Sequence, residues 1–103
     1  MKTEVAILRN EYPTDVREHV ESKLQQLEKY NERTVSVRAL LEKQPDSHRV
    51  ELLANLRRGL VKVVDARGET FQATLDEAVH RMARVLSRHK DKMTDKSRAR
   101  ART

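Results

Sequence analysis

The chain contains no cysteine, and that absence excludes a disulfide framework, a cysteine-based zinc site and a thiol nucleophile. It also has no apolar run that approaches the roughly 18 residues of a membrane span, and no segment that resembles a signal peptide. We therefore expect a cytoplasmic protein that has no membrane partner.

Catalytic and cofactor motifs are missing as well. No two of the four histidines, His19, His48, His80 and His89, have the i, i+4 spacing of a helical metal-binding pair. The sequence also lacks an HExxH motif, a glycine-rich phosphate loop and a nucleophile elbow. We expect no enzymatic activity, no catalytic residue, no metal and no cofactor. An enzyme that uses His80 or His89 is kept only as a formal alternative.

Aromatic residues are few, because Tyr12, Tyr30 and Phe71 are the only three. Tyr30 and Phe71 fall at positions where a core needs them, so we do not expect aromatic stacking on unpaired bases to carry affinity. For a chain that binds nucleic acid, this scarcity favours recognition of backbone and shape over recognition of base sequence.

The chain does contain enough aliphatic residues for one small folded domain. Leu, Ile, Val and Phe account for 24 of its 103 residues, which is above the range where disorder is the default. A length of 103 residues suits a single domain. We predict a domain over residues 1–93. Residues 94–103 show no apolar periodicity and are predicted to form a basic, flexible tail.

Apolar periodicity predicts the element order β-α-β-β-β-α. Strands are predicted at Thr3–Leu8, Thr34–Leu41, Arg49–Leu56 and Leu60–Ala66, and helices at Val16–Tyr30 and Leu75–Met93. The last three strands are expected to form an antiparallel meander, and one face of the sheet must cover both amphipathic helices. The predicted fold is therefore α+β, a four-stranded sheet with two helices packed on one face. Gly59 is expected to take a positive φ in a tight turn. The facing of the fourth strand, and whether Thr70 or Thr74 caps the last helix, stay open.

The last predicted helix has two unlike faces. Its apolar stripe falls within about 40° of Leu75 on a helical wheel. The stripe comprises Leu75, Val79, Met82, Leu86, His89 and Met93. The opposite side, between roughly 180° and 260°, carries Arg81, Arg84, Arg88 and Lys92. One face must therefore pack on a partner element, while the other presents a row of cations.

The net charge of +6 is distributed unevenly along the chain. Residues 81–103 contain nine Lys or Arg and two Asp, whereas residues 1–80 are nearly balanced. Cations that complement a helix dipole would account for one or two charges in the last turn, but not for a row that starts at Arg81. The asymmetry indicates a polyanionic partner, and a merely solvated charged face is the alternative.

Two helical blocks of the sequence carry a more specific pattern. The first block, Val20–Tyr30, is similar to a V-x-x-K-L-x-x-L-E-K-Y helix. The second combines Leu75-Asp76 with Ala83–Lys92, which is similar to I-D followed by A-R-x-L-x-K-H-K-D-K. Through these blocks the chain resembles the short ribosome hibernation promoting factor family, the group that includes ribosome-associated inhibitor A (protein Y). The order of elements also agrees with that family, so the resemblance covers nearly all of residues 1–93.

The resemblance implies a ribosome hibernation factor that inhibits translation under stress and in stationary phase. Such a factor binds the small ribosomal subunit and its ribosomal RNA between head and body, over the mRNA and tRNA sites, and leaves ribosomes intact but idle. A second small hibernation factor is an implied partner, and we expect a monomer off the ribosome. Whether ribosome pairing is promoted or prevented stays open. The residues predicted to face RNA, with the histidine at the rim, are Lys23, Arg81, Arg84, Arg88, His89, Lys90 and Lys92.

A second hypothesis comes from a different class of protein. The same basic helix would suit a DNA- or transcription-associated binding module, or a structural protein of the ribosome. Sedimentation distinguishes these hypotheses, because a hibernation factor travels with small subunits and whole ribosomes from resting cells.

Overall fold

Four strands and two main helices follow one another in the order β-α-β-β-β-α in the computed structural model of the chain. The structure describes the backbone of residues 1–10 and 12–101 and the side chains of residues 1–9 and 12–93. The strands are β1 (Lys2–Ile7), β2 (Thr34–Gln44), β3 (Ser47–Leu56) and β4 (Leu60–Gly68). The helices are α1 (Val16–Gln25), which a 3-10 segment extends over Gln26–Tyr30, and α2 (Phe71–Ala101). The predicted α+β class and element order are confirmed.

The strands form one sheet in the order β1-β2-β3-β4. The last three strands make the predicted antiparallel meander, in which Leu52 of β3 pairs with Ala39 on one side and Val64 on the other. β1 instead pairs with β2 in parallel, with Val5 opposite Ala39. Parallel neighbours need a crossover connection, and α1 supplies it. β1 and β4 are therefore the two edges of the sheet.

One apolar core lies between the sheet and the helices, because alternate strand residues and one stripe of each helix are apolar. The sheet contributes Val5, Val37, Ala39, Leu41, Val50, Leu52, Ala54, Leu56, Val64 and Ala66. The helical layer contributes Val20, Leu24, Leu27, Leu75, Ala78, Met82, Ala83 and Leu86. Three members of the predicted stripe of α2, Leu75, Met82 and Leu86, are thus buried. Its members Val79, His89 and Met93 are only half-buried.

Pairing with β3 decides the facing of β4, which the sequence left open. Val64 and Ala66 are buried in the core, whereas Val61 and Val63 are 46% and 56% exposed on the open face of the sheet. In the turn before β4, Gly59 has a φ of 72°, which confirms the predicted positive value.

α2 begins at Phe71, four residues before its predicted start. Thr70 caps the helix, since its Oγ1 accepts a hydrogen bond from the Ala73 amide at 3.3 Å. Thr74, the other candidate, is buried and donates through Oγ1 to the Thr70 carbonyl oxygen at 2.6 Å. Gly68 allows this close approach, because a Cβ at that position would lie 2.5 Å from Thr74 Oγ1.

The backbone of α2 continues to Ala101, so the segment predicted as a basic tail, residues 94–103, begins within a helix. Residues 102–103 lie outside the described residues. The division into a domain at 1–93 and a flexible tail at 94–103 stays a prediction.

A buried asparagine joins α2 to the segment that leads into β2. Asn31 is 0% exposed, and its side-chain nitrogen donates to the Leu86 carbonyl oxygen at 3.0 Å. Its Oδ1 accepts a hydrogen bond from the Arg33 amide at 2.9 Å. Both ends of the side-chain amide are therefore bonded, and one residue fixes the middle of α2 against the start of β2.

Replacing Asn31 with alanine should lower the free energy of unfolding by about 1–3 kcal/mol, because the Leu86 carbonyl and the Arg33 amide lose a buried partner. Urea denaturation followed by circular dichroism measures the loss. The control is Asn55→Ala, whose side chain donates to Ser36 Oγ at 3.1 Å in a part-buried setting that water can reach. We expect the control to lose less than about 1 kcal/mol. Equal losses would contradict the role given to Asn31.

Candidate nucleic-acid interface

A groove runs between α2 and the helical segment formed by α1 and its 3-10 extension. It has two adjoining parts, of about 160 and 280 Å³, and both are lined by Tyr30 and His80. The polar and charged side chains along it are Lys23, Gln26, Tyr30, Asp76, His80, Arg84, Ser87, Arg88 and Asp91. The groove is the concave part of the helical layer, and its wall on α2 includes two of the predicted cations.

Arg84 and Arg88 are the exposed cations of the predicted set that lie in the groove. Both are exposed, and both line the larger part of the groove. Their i, i+4 spacing puts their Cβ atoms about 5–6 Å apart on one side of the helix. Among the described side chains, no carboxylate forms an ion pair with either guanidinium. The pair therefore presents two guanidinium groups that an anion can bind together, with the carboxylate of Asp91 in the same part of the groove.

Arg81 faces the other side of α2, toward the edge of the sheet. Its guanidinium donates to the carbonyl oxygen of Asp65 in β4 at 3.0 Å, and the residue is half-buried. Arg17 of α1 makes the same kind of contact with the opposite edge strand, donating to the carbonyl oxygen of Val5. Each helix thus holds one edge strand through an arginine. The Arg81 side chain keeps its charge but is already committed to a structural hydrogen bond.

Lys23 lies in the groove next to a carboxylate. Its Nζ is 3.6 Å from Oδ1 of Asp76, and 32% of the lysine side chain is exposed. The pair links α1 to α2 across the groove. At this exposure it is a weak and exchangeable ion pair.

Lys90 is paired with Glu32, a residue of the loop between the helical segment and β2. The Nζ–Oε2 distance is 3.1 Å, and the two side chains are 43% and 64% exposed. A backbone hydrogen bond and the hydrogen bond with Lys90 lower the pKa of Glu32, so the carboxylate is ionised at neutral pH. Any phosphate that binds Lys90 must compete with this carboxylate.

The structure brings three of the predicted residues, Lys23, Arg84 and Arg88, into one groove. Lys92 is exposed, and His89 is half-buried. Together with Arg81 and Lys90, these two residues lie outside the lining of the groove. The cations predicted to face RNA are therefore divided among the groove, a contact with the sheet edge, a separate ion pair and, for Lys92, an exposed position outside the groove lining.

Several groove residues were absent from the sequence-based set. Tyr30 was predicted as a core residue, and it does pack against the core, but it also lines the groove. The Lys29 Nζ lies 5.2 Å from the centre of its ring, at cation–π distance. His80 and Asp91 complete the opposite wall. The i, i+4 spacing of His80 with Arg84 was the sequence signal that could have placed His80 on the same side of the helix as this arginine.

The described residues include no group of three or more His, Asp or Glu side chains that could hold a metal ion. No helix within the described ranges has both the length and the apolar character needed to cross a membrane. What the helical layer offers is a set of hydrogen-bond donors and positive charges suited to phosphate.

The fold and this surface define a small α+β domain with a basic helical face. The chain belongs to the family described as Sigma 54 modulation protein / S30EA ribosomal protein, whose family model matches residues 9–94. A curated relative, the ribosome hibernation promoting factor of Salmonella typhimurium, is 32% identical over 78 residues, which cover 76% of this chain and 81% of the relative. The family resemblance inferred from the two helical blocks is confirmed.

Two solved structures share the fold. The N-terminal domain of Thermus thermophilus Protein Y matches with a TM-score of 0.74 at 23% identity, and the match covers 86% of this chain and 99% of that one. A ribosomal subunit interface protein from Coxiella burnetii matches with a TM-score of 0.77 at 18% identity, covering 88% and 99%. At these identities the similarity shows the architecture, and it agrees with the sheet and helix order described above.

Proposed function

We propose that this chain is a non-enzymatic ribosome hibernation factor of the cytoplasm. It binds the small ribosomal subunit between head and body through ribosomal RNA phosphates, and it inhibits translation by occupying the mRNA and tRNA sites. It is a monomer off the ribosome, and a second small hibernation factor is a candidate partner. Membership of the family and the relative named a ribosome hibernation promoting factor support this proposal.

The observation that carries the proposal is the pair of exposed arginines, Arg84 and Arg88, that lie one helical turn apart without a carboxylate partner among the described side chains. Guanidinium groups bind phosphate in a bidentate manner, and their charge does not depend on pH in the physiological range. A rigid helix that is packed on a sheet holds both groups in a fixed arrangement. Such a surface suits the backbone of a folded RNA better than it suits unpaired bases.

Reversing the charge of both arginines tests the contact surface directly. The double variant Arg84→Glu/Arg88→Glu should fold normally, since both side chains are exposed, and should lose co-sedimentation with small ribosomal subunits by at least about tenfold, because phosphates would repel it. The control Lys2→Glu/Arg67→Glu makes the same change in net charge at exposed strand residues away from the groove and should bind normally. Normal binding by the groove variant would overturn the proposed contact face.

The salt dependence of binding counts the phosphate contacts. If the six predicted cations engage phosphates, log K should fall with log salt concentration at a slope of roughly −4 to −5 in a filter-binding titration on small subunits. The ion pairs of Lys23 and Lys90 do not prevent this, because exposed pairs are worth only about 0–1 kcal/mol. The hydrogen bond of Arg81 is to a neutral carbonyl oxygen and leaves the charge of its guanidinium group in place. A slope of about −2 to −3 would restrict the contact to the exposed cations. A slope near zero would contradict phosphate binding.

The Lys90–Glu32 pair predicts a variant that binds more tightly. Glu32→Gln removes the charge that competes with phosphate for Lys90 and should raise affinity for the small subunit by up to about fivefold. Fluorescence titration of labelled protein measures the change. Glu4→Gln, at an exposed position of β1, alters the net charge equally and should leave affinity unchanged. An equal gain in both variants would assign the effect to net charge alone.

A DNA- or transcription-associated binding module is the second candidate, and the family description, which begins with Sigma 54 modulation protein, favours keeping it. Sucrose-gradient sedimentation of lysate from resting cells separates the two candidates. The proposed function requires the protein to travel with small subunits and whole ribosomes. Protein that stays at the top of the gradient would favour the second candidate.

A further inference from the structure

His80 occupies the centre of the groove between the helices. It is exposed and lines both parts of the groove, so it lies between the Lys23–Asp76 pair and the arginines Arg84 and Arg88. Within the described part of the chain, no residue forms a hydrogen bond or an ion pair with its ring. This side chain has no role in the core and none in the contacts that hold the fold.

The charged and titratable groups that face His80 come from both walls. Lys23 and Tyr30 approach from α1 and its extension, while Asp76, Arg84, Arg88 and Asp91 lie on α2. Asp76 already interacts with Lys23 at 3.6 Å, and its Oδ1 accepts a hydrogen bond from Gln72 at 2.9 Å. Asp76, four residues before His80, is therefore already paired. Glu77 lies three residues before His80, a neighbouring position on the same helix, and Arg84 is one turn further along.

We propose that His80 is a pH-dependent phosphate ligand of this groove, an inference that rests on the proposed function and assigns a new residue to the same surface. A neutral imidazole offers one donor and no charge, whereas a protonated imidazole offers two donors and a positive charge. Protonation would align three cations at i, i+4 and i+8 along the groove wall. The groove then binds RNA phosphates more tightly in acidified cells than at neutral pH.

Protonation and phosphate binding reinforce each other. In the empty groove, a protonated His80 is repelled by Arg84, because like charges at i, i+4 are mutually destabilising. A phosphate between the two side chains removes that repulsion and accepts a hydrogen bond from each. By linkage, RNA binding takes up a proton at His80 to the same extent that protonation strengthens RNA binding.

The test compares the salt dependence of small-subunit binding for the full chain and its His80→Gln variant at about pH 8 and about pH 5.8. An ordinary imidazole is mostly neutral at the first pH and mostly protonated at the second. At about pH 5.8 the unchanged protein should have a slope steeper than that of the variant by about 0.7–0.9. Between 50 and 200 mM salt, this difference means that it loses about threefold more affinity than the variant. At about pH 8 the two slopes should agree.

The matched control is His19→Gln, because His19 is also exposed but bonds to Gln72 at 3.1 Å outside the groove lining. This variant should have the same salt-dependence slope as the unchanged protein at both pH values. Protonation of groups on the ribosome affects all variants equally, so it cancels when they are compared at one pH. Equal slopes for the unchanged protein and His80→Gln at about pH 5.8 would overturn the role of His80 and leave the proposed function standing. Failure of the unchanged protein to bind small subunits at either pH would overturn both.

Discussion

The buried side-chain amide of Asn31 is the contact on which the arrangement of the helical layer depends. Its partner in α2 is the carbonyl oxygen of Leu86, so the bond fixes the backbone of the helix rather than a side chain that could change rotamer. Leu86 lies midway between Arg84 and Arg88 along the chain. The turn of α2 that carries the exposed arginines is therefore the turn that is held against the start of β2, and the backbone from which they project is fixed before any ligand arrives.

Arg49 on the open face of the sheet differs from the two arginines of the groove in being paired with carboxylates. On the open face of the sheet, Arg49 donates to Asp65 at 2.9–3.2 Å and to Glu51 at 2.8 Å. The hydrogen bond to Asp65 and the nearby carboxylates raise the pKa of Arg49, so the charge of this arginine is offset by its neighbours. On the helical side, Arg84 and Arg88 have no such partner among the described side chains.

Local periodicity was sufficient to predict the element order and most of the core, because a helix and a strand each repeat within a few residues. The facing of β4 could not be predicted in this way, since Val63 and Val64 are equally apolar and only pairing with β3 separates them. The site was predicted less accurately than the fold, because long-range contacts decide which cations are already bonded. Lys90 meets a carboxylate 58 residues away at Glu32, and Arg81 meets the main chain of β4, and neither contact leaves a pattern in the sequence. The order of charges along a helix predicts which residues share a side, but not which of them are already engaged.

The parallel pairing of β1 with β2 has a consequence for the synthesis of this chain. β1 ends at Ile7, and its partner strand begins at Thr34, so residues 8–33 must be made before any residue of β1 can find its place. The hairpins of β2, β3 and β4 join strands that are consecutive in the chain, so each strand can pair soon after the next one is synthesised. Translation proceeds from the N-terminus, so β1 leaves the ribosome before β2, β3 and β4. Of these four strands, β1 therefore stays unpaired for the longest stretch of synthesis.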